Sequence, residues 1–365
     1  MTSDDPTPEV YERQATHWAD RRAPTRFAEV AAFADLTDPA RGPVLDVGTG
    51  PGWYLPALGP ASIGLDTAAA MLDLARLRYA PDHPLVQADL ALPPFCRESL
   101  GGAWASNSYV HVNRRGLPAA LGQLHGCLAV GAPIELQLFE GDRDHGTFPD
   151  DDFPGRRFSG WQMEHLRDVL IGAGFGEVEI ERRDRDALRV TGRRLHSLPD
   201  SVGPGMRVLF CGLNPSVHAA RAGVGYIGPG NRFWPALERA GLISRARDPW
   251  HALDRDGIGM TDLVKRTTAR TGEIDRSEFA DGLPRLERLV RWLEPGAVCI
   301  VGLSGWRAAV DRRATAGPAG ELGGRPVWVM PSTSGLNTHT TQAELVDHVR
   351  AAAALARTPP QSSNS

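Results

Sequence analysis

Two sets of residues in this chain are spaced for chemistry, and they lie in different halves of it. The first is VLDVGTGPGW (44–53), which places Asp46, Gly48, Gly50 and Gly52 between an apolar run and a helical pattern. Glycines there let the backbone turn tightly and come close to a ligand. The spacing is G-x-G-x-G rather than the G-x-G-x-x-G of dinucleotide binders. Asp66 ends the next apolar run, twenty residues after Asp46, and Asp89 in VQADLALPPF ends the one after that. An acid at the position of Asp66 can accept hydrogen bonds from both ribose hydroxyls. A glycine loop and acids at three successive strand ends describe a nucleotide-type cofactor site, because ligands of open α/β sheets bind there.

The second set begins in RVLFCGLNPS (207–216). Pro215 biases Asn214 toward extended backbone, so the apolar run ends straight and carries an amide at its edge. An amide is no general base, but its oxygen can hold a water and its NH2 a substrate. That suits a reaction with a good leaving group that chiefly needs a positioned water. Hydrolysis of the N-glycosidic bond of uracil or thymine is such a reaction. The base departs as a resonance-stabilised anion while the sugar gains oxocarbenium character, and backbone N–H groups can stabilise the anion. Tyr226 in GYIGPGNRFW (225–234) can stack on an extruded base. PSTSGLNTH (331–339) joins small hydroxyl residues to Gly335 and Leu336, and an exposed leucine on such a loop can wedge into a base stack. Taken alone, Asn214-Pro215 would equally be an Asx-type turn.

The elements that must hold these residues follow from the apolar pattern. In the first half, strands are expected at Pro43–Val47, Ser62–Leu65, Leu85–Gln87, Gly102–Ser106, Ile134–Phe139 and Val178–Arg182, with helices such as Thr67–Tyr79 and Pro118–Ala129 between them. Such alternation predicts an α/β doubly wound, Rossmann-like sheet. In the second half, strands are expected at Arg207–Leu213, Val298–Gly302 and Val327–Met330, with a fourth or irregular segment near Ile258–Leu263. Helices are expected at Asn231–Ala240, Glu278–Leu293, Gly305–Arg312 and Gln342–Ala356, giving a smaller three-layer α/β/α sandwich. HSLPDSVGPGM (196–206) breaks the periodicity and sets the domains at 1–198 and 199–356, with a disordered tail at 357–365.

Over roughly residues 10–190 the chain resembles class I S-adenosylmethionine-dependent methyltransferases, through LDVGTGPG, GLDTAAAMLDLAR, QADLALPPF, LHGCLAVGAPIELQLFE and LRDVLIGAGFGEVEI. The resemblance implies S-adenosylmethionine as cofactor, with Asp46, Gly48, Gly50 and Gly52 on its methionine moiety, Asp66 on its ribose and Asp89 near its adenine. ASNSYVHVNRRG (105–116) lacks the Pro-Cys nucleophile of cytosine-C5 enzymes and the Pro-Pro-aromatic run of amino-methylating DNA enzymes, so it does not point to a DNA base. The acceptor stays open between a small molecule and a protein. His111 in this segment is a candidate base, although a lone histidine at a strand end is more often structural.

Residues about 203–356 resemble the mismatch-specific uracil/thymine DNA glycosylase family of the uracil-DNA glycosylase superfamily. Four blocks carry the likeness: PGMRVLFCGLNPS, GYIGPGNRFWPALERAGL, GIGMTDLVKRTT and VWVMPSTSGLN. By this resemblance Asn214 positions the hydrolytic water, with Gly212, Leu213 and Ser216 around the base and Tyr226 stacked against the pyrimidine. Ser332 and Ser334 lie near the flipped nucleotide and its phosphate. Gly335, Leu336 and Asn337 form an insertion loop whose backbone reads the unpaired guanine, while Asn231 and Arg232 brace the pocket. Three positions depart from the family. Ser216 replaces a glycine, Thr338 stands where bacterial members carry arginine, and Asp262 stands where relatives carry Lys or Asn. The preferred reading of Asp262 is a local turn cap, with water activation as the other.

Bulk properties agree with two different partners. Residues 1–200 carry 20 basic against 29 acidic residues (-9), and residues 201–365 carry 20 against 15 (+5), so the second half is better suited to a polyanion. Cys96, Cys127, Cys211 and Cys299 form no C-x-x-C pair and read as reduced thiols. The blocks show no metal-ligand pattern, and no cofactor is expected for the second domain. No apolar run approaches membrane-spanning length, so a cytoplasmic, nucleoid-associated location without membrane contact is expected. The sequence thus predicts a base-excision DNA glycosylase for double-stranded DNA with G·U or G·T mismatches, fused to a methyltransferase. The alternative is a methyltransferase whose second half only binds mismatched DNA.

Overall fold

A computed structural model describes residues 5–184 and 186–356. The tail expected at 357–365 lies outside the described residues. The chain divides into two compact units between Leu195 and His196. None of the described helices is long and apolar enough to cross a membrane.

The first unit is built on one mixed sheet. Its strands are β1 (Val44–Val47), β2 (Ile63–Asp66), β3 (Leu85–Gln87), β4 (Gly102–Ser106), β5 (Pro133–Glu140), β6 (Gly160–Trp161), β7 (Phe175–Asp184) and β8 (Ala187–Arg194). Their order is β3-β2-β1-β4-β5-β8-β7, with β6 beside β5. The β1, β2, β3, β4 and β5 pairings are parallel, and β8 runs antiparallel to both β5 and β7. This is a doubly wound, Rossmann-like arrangement, in which chain order reverses direction beside β1. Every residue of β1 is buried, as a central parallel strand requires. β8 escapes the apolar pattern because two of its four buried positions are Gly192 and Arg194. Arg194 is fully buried and donates to Glu98 at 3.0 Å, so an ion pair stands where periodicity looks for a hydrophobe. The helix expected over Thr67–Tyr79 is α-helical only over Ala69–Leu74 and continues as a π-turn over Ala75–Tyr79.

The second unit is a three-layer α/β/α sandwich. Its strands are β9 (Val208–Gly212), β10 (Ile258–Asp262), β11 (Ala297–Val301), β12 (Gly317–Leu322) and β13 (Arg325–Met330), in the order β10-β9-β11-β13-β12. All pairings are parallel except β12–β13. Side-chain alternation on β9 feeds two cores. Val208 and Phe210 pack with Phe233, Trp234, Leu237 and Val349, whereas Leu209 and Cys211 pack with Leu286, Val290 and Trp306. The helix Phe233–Ala240 shows why these layers form. Its buried residues Phe233, Trp234, Ala236 and Leu237 make one apolar face, and Gly241 stops it with φ +69°. β12 is an edge strand with mostly exposed residues and no apolar alternation, which is why the pattern misses it. Two helices, Val217–Ala222 and Pro249–Asp256, also go unpredicted, being only six and eight residues long.

Candidate functional sites

In the first unit, the C-terminal ends of β1, β2 and β4 and the loop after β3 open onto one cavity of about 650 Å³. Asp46 is buried on β1, and the Thr49 hydroxyl donates to it at 2.6 Å. Burial pushes the Asp46 carboxyl up to about 7, with nearby Asp66 adding to the effect against the lowering by Thr49. Asp66 closes β2 with both oxygens in use. One accepts the Gly50 N–H at 2.8 Å and the other the Ala68 N–H at 2.9 Å. The Thr67 N–H is a third backbone partner of this carboxylate, whose four lone-pair sites still leave room for a further donor. Asp89 accepts the Ala91 N–H at 2.9 Å and lines the same cavity.

The loop glycines do different work. Gly50 has φ +54° and open space where a Cβ would sit, so it presents bare backbone to the cavity. A Cβ on Gly48 would lie 2.3 Å from the Ser108 Cβ, which fixes this residue by close approach of the β4 segment. Gly52 is a correction to the expected cofactor set: it packs on Ala75 and does not line the cavity.

His111 lines the cavity and is buried. Its Nδ1 lies 2.7 Å from the Arg157 carbonyl oxygen and its Nε2 2.9 Å from the Tyr11 hydroxyl. Burial lowers its pKa to about 4, so the ring is neutral near pH 7. Tyr11 was not legible as a site residue, since it sits in the polar N-terminal helix Thr7–Arg21. Two buried polar atoms on residues lining the cavity, Ser108 Oγ and Trp18 Nε1, have no partner among the described residues and suit a polar ligand.

In the second unit, β9 ends at Gly212 and Asn214 follows. The two hydrogens of the Asn214 Nδ2 group are divided among three acceptors, the carbonyls of Pro215 (3.1 Å) and Arg266 (3.0 Å) and Thr268 Oγ1 (2.8 Å), so one of them is shared. Carbonyls only accept, so the amide nitrogen must face them and the Asn214 Oδ1 must face away. This corrects the expectation that the NH2 also holds substrate: protein acceptors occupy it. Thr268, missed in the sequence, passes its own proton to the Arg270 carbonyl at 3.0 Å and so is an acceptor for Asn214.

Gly212 is the contact point of three motif blocks. A Cβ there would lie 2.4 Å from Asp262 Oδ1 and 2.8 Å from the Tyr226 hydroxyl. Tyr226 takes a left-handed backbone, φ +58°, and stacks on Phe233 with centroids 3.9 Å apart and rings 22° from parallel. One ring face is therefore occupied by protein, and its hydroxyl is buried without a hydrogen-bond partner. Asp262 ends β10 and is buried, and its carboxylate accepts no hydrogen bond among the described residues. It is not the turn cap expected of it. Burial pushes its carboxyl up to about 6, with Lys265 pulling the other way.

Other expected residues separate into contacts and supports. Ser216 caps the helix Val217–Ala222, its Oγ accepting the Ala219 N–H at 3.2 Å, which accounts for a serine in a glycine position. Leu213 turns into the core beneath Gly302 and Gly305 rather than toward a pocket. The Asn231 Oδ1 accepts the Phe233 N–H at 3.0 Å, and Arg232 grips the carbonyls of Asn337 and Thr340. That grip, with Gly335 seated against the Gly230 carbonyl, brings the 225–234 and 331–339 blocks together. Ser332 Oγ accepts the Ser334 N–H and Ser334 Oγ the Leu336 N–H, both at 3.3 Å. Leu336 is 93% exposed at the tip. The Asn337 N–H bonds the Ser334 carbonyl and its C=O accepts from Arg232, so of its backbone only the second lone pair of that carbonyl is left for a base edge.

Both units have matches among known proteins. Residues 199–355 match the family model of the Uracil DNA glycosylase superfamily, and residues 44–131 that of a Methyltransferase domain. Among solved structures, the complex of DhpI with SAH is 19% identical, with 52% of this chain and 95% of that chain covered and a TM-score of 0.41. An S-adenosylmethionine-dependent methyltransferase from Mesorhizobium loti is 19% identical, with 46% and 97% covered and a TM-score of 0.37. The 1,6-didemethyltoxoflavin-N1-methyltransferase of Burkholderia thailandensis is 20% identical, with 51% and 84% covered and a TM-score of 0.38. The chain therefore carries a methyltransferase domain followed by a domain of the uracil DNA glycosylase superfamily.

Proposed function

We propose that the second domain hydrolyses the N-glycosidic bond of uracil, and of thymine, mispaired with guanine in double-stranded DNA. The observation that carries this reading is the fixed amide of Asn214. Its NH2 is held by two carbonyls and Thr268, so its oxygen is a stationary acceptor at the end of a buried strand. A water donating one proton to that oxygen keeps a lone pair for the anomeric carbon. The base leaves with the bonding electron pair, the water oxygen bonds to C1′, and the water's proton ends on the expelled base. Leu336, fully presented on a loop braced by Arg232, suits the space vacated by a flipped nucleotide. The basic balance of residues 201–365 favours a DNA partner.

The first domain is read as binding S-adenosylmethionine, which supplies an electrophilic methyl group when bound. Asp66 keeps lone pairs for the ribose hydroxyls, Gly50 lets the backbone approach, and Asp46 is a buried acid that an α-ammonium group would ionise. This residue set fits the cofactor. Both readings are tested on the full chain. Incubation with an end-labelled G·U duplex followed by alkali should give strand scission at the uracil, and an uncut strand would refute the glycosylase assignment. Calorimetry should show S-adenosylmethionine binding, and its absence at millimolar cofactor would refute the other.

A further inference from the structure

The cavity of the first unit has two chemically different ends. Asp46, Gly50 and Asp66 form one. The other is a wall of rings from four segments: Tyr11 in the N-terminal helix, His111 in the turn after β4, Phe139 on β5, and Phe148 and Phe158 between β5 and β6. The wall is continuous. Ring centroids lie 5.4 Å apart for Tyr11 and His111, 4.9 Å for His111 and Phe158, and 4.9 Å for Phe158 and Phe148. Phe139 lies 5.9 Å from both Phe148 and Phe158.

Two guanidinium groups already lie over these rings. Arg143 is 4.0 Å from the centroid of Phe148, and Arg156 is 5.4 Å from that of Tyr11 and 5.2 Å from that of Phe158. Ring faces covered by cations are closed to an ammonium, which therefore finds no aromatic cage here. The wall therefore favours an uncharged or electron-rich planar guest, which gains from offset or edge packing against rings.

The wall also carries one oriented polar group. The Arg157 carbonyl can only accept, so the proton of neutral His111 sits on Nδ1 and Nε2 is an acceptor. The Tyr11 O–H must then donate to Nε2, while its oxygen accepts from Arg156 at 3.0 Å. One lone pair of that oxygen stays open to a donor from the cavity. Asp151 holds Arg156 through its Nε at 3.1 Å and through a second contact from NH2, so the arrangement is fixed from behind.

We propose that this aromatic end is the acceptor site, and that the acceptor is a small planar aromatic molecule whose hydroxyl donates to the Tyr11 oxygen. The proposal deepens the methyltransferase reading and rests on it for the word acceptor. A cavity of about 650 Å³ lies within the ~300–1,000 Å³ typical of small-molecule sites.

The test titrates the full chain, by calorimetry, with 2-naphthol and with 1-naphthylmethylamine, each in the presence and absence of S-adenosylhomocysteine. The naphthol should bind and the cationic amine should bind at least tenfold more weakly. Tyr11→Phe should weaken the naphthol about fivefold, as loss of one hydrogen bond does. Phe148→Ala should weaken it about tenfold; Phe148 is a partly exposed loop residue, so this variant keeps the fold. No naphthol binding, tighter binding of the amine, or indifference to both substitutions overturns the proposal. Failure of S-adenosylhomocysteine alone to bind would instead overturn the cofactor reading, and the naphthol arms without it would still decide this one.

Discussion

The two candidate sites occupy the same place, the C-terminal edge of a parallel sheet with an acid buried on a strand, yet they hold their acids differently. In the first, Asp46 is bonded by Thr49, and both oxygens of Asp66 hold backbone amides. In the second, Asn214 is pinned, while among the described residues the Asp262 carboxylate accepts no hydrogen bond and the Tyr226 hydroxyl beside it is buried without a partner. A buried polar atom without a partner is unfavourable by about 1–3 kcal/mol. The first site is thus a cradle whose acids are already fixed and which is finished except for Ser108 Oγ and Trp18 Nε1, whereas in the second the acid itself is left to be completed when a substrate enters.

The largest effect expected from breaking this contrast is at Asn214. Asn214→Ala should lower the single-turnover excision rate on a G·U duplex by ~10²–10³-fold, as removal of one positioned catalytic polar group does. Excision at the normal rate would remove Asn214 from its role. The same change leaves the first unit untouched, so cofactor affinity should not move.

The next effect is on stability. The Asp262 carboxyl has a folded pKa of about 6 against an ordinary 3.8, and that of Asp46 is about 7 against the same reference. The folded state binds these protons more tightly than the unfolded chain. Each contribution is therefore fully present below about pH 4 and is lost as pH rises, through about 6 for Asp262 and about 7 for Asp46. For Asp262 the loss is on the order of 3 kcal/mol. Unfolding free energies of the wild type and of Asp262→Asn, compared from about pH 4 to about pH 7, should show a difference that changes with pH. A constant difference would mean that the carboxyl titrates normally.

The sheets and the two sites were unequally legible. Central strands such as β1, β9 and β11 are short apolar runs because both faces are covered, and pattern alone finds them. β8 and β12 are hidden because a buried Arg194 and an exposed edge each break the alternation. Within the sites, glycine spacing marks the loop at 48–52 but does not say which glycine faces a ligand. That depends on Ala75 and Ser108, which arrive from distant segments. Asn214 is conspicuous because proline follows it. Thr268, which holds it, is 54 residues away and meets it only because β10 lies beside β9. Tyr11 and His111, a hundred residues apart, likewise meet only once the chain is folded.

The finished state of the first cradle gives a smaller prediction. Asp66→Ala removes a carboxylate that fixes the Gly50 and Ala68 amides and faces the cavity. Charge-assisted hydrogen bonds of this kind contribute about 1.5–3 kcal/mol, so S-adenosylmethionine affinity should fall ~10–100-fold. Unchanged affinity by calorimetry would show that the ribose lies elsewhere.

The smallest effect belongs to the residue that most separates the two sites. The first unit turns its rings into a cavity, whereas the second presents Leu336, 93% exposed, to solvent. A side chain that exposed contributes almost nothing to folding, so Leu336→Ala should leave thermal unfolding unchanged. Its effect should appear only where a base stack must be opened. Excision from a G·U duplex should slow about three- to tenfold, the scale of one large apolar contact of ~1 kcal/mol. Excision from single-stranded DNA carrying uracil should proceed at the wild-type rate, because no stack resists flipping there. Equal slowing on both substrates would place Leu336 in the chemistry rather than at the wedge, and the second site would then resemble the first more closely than its exposed tip implies.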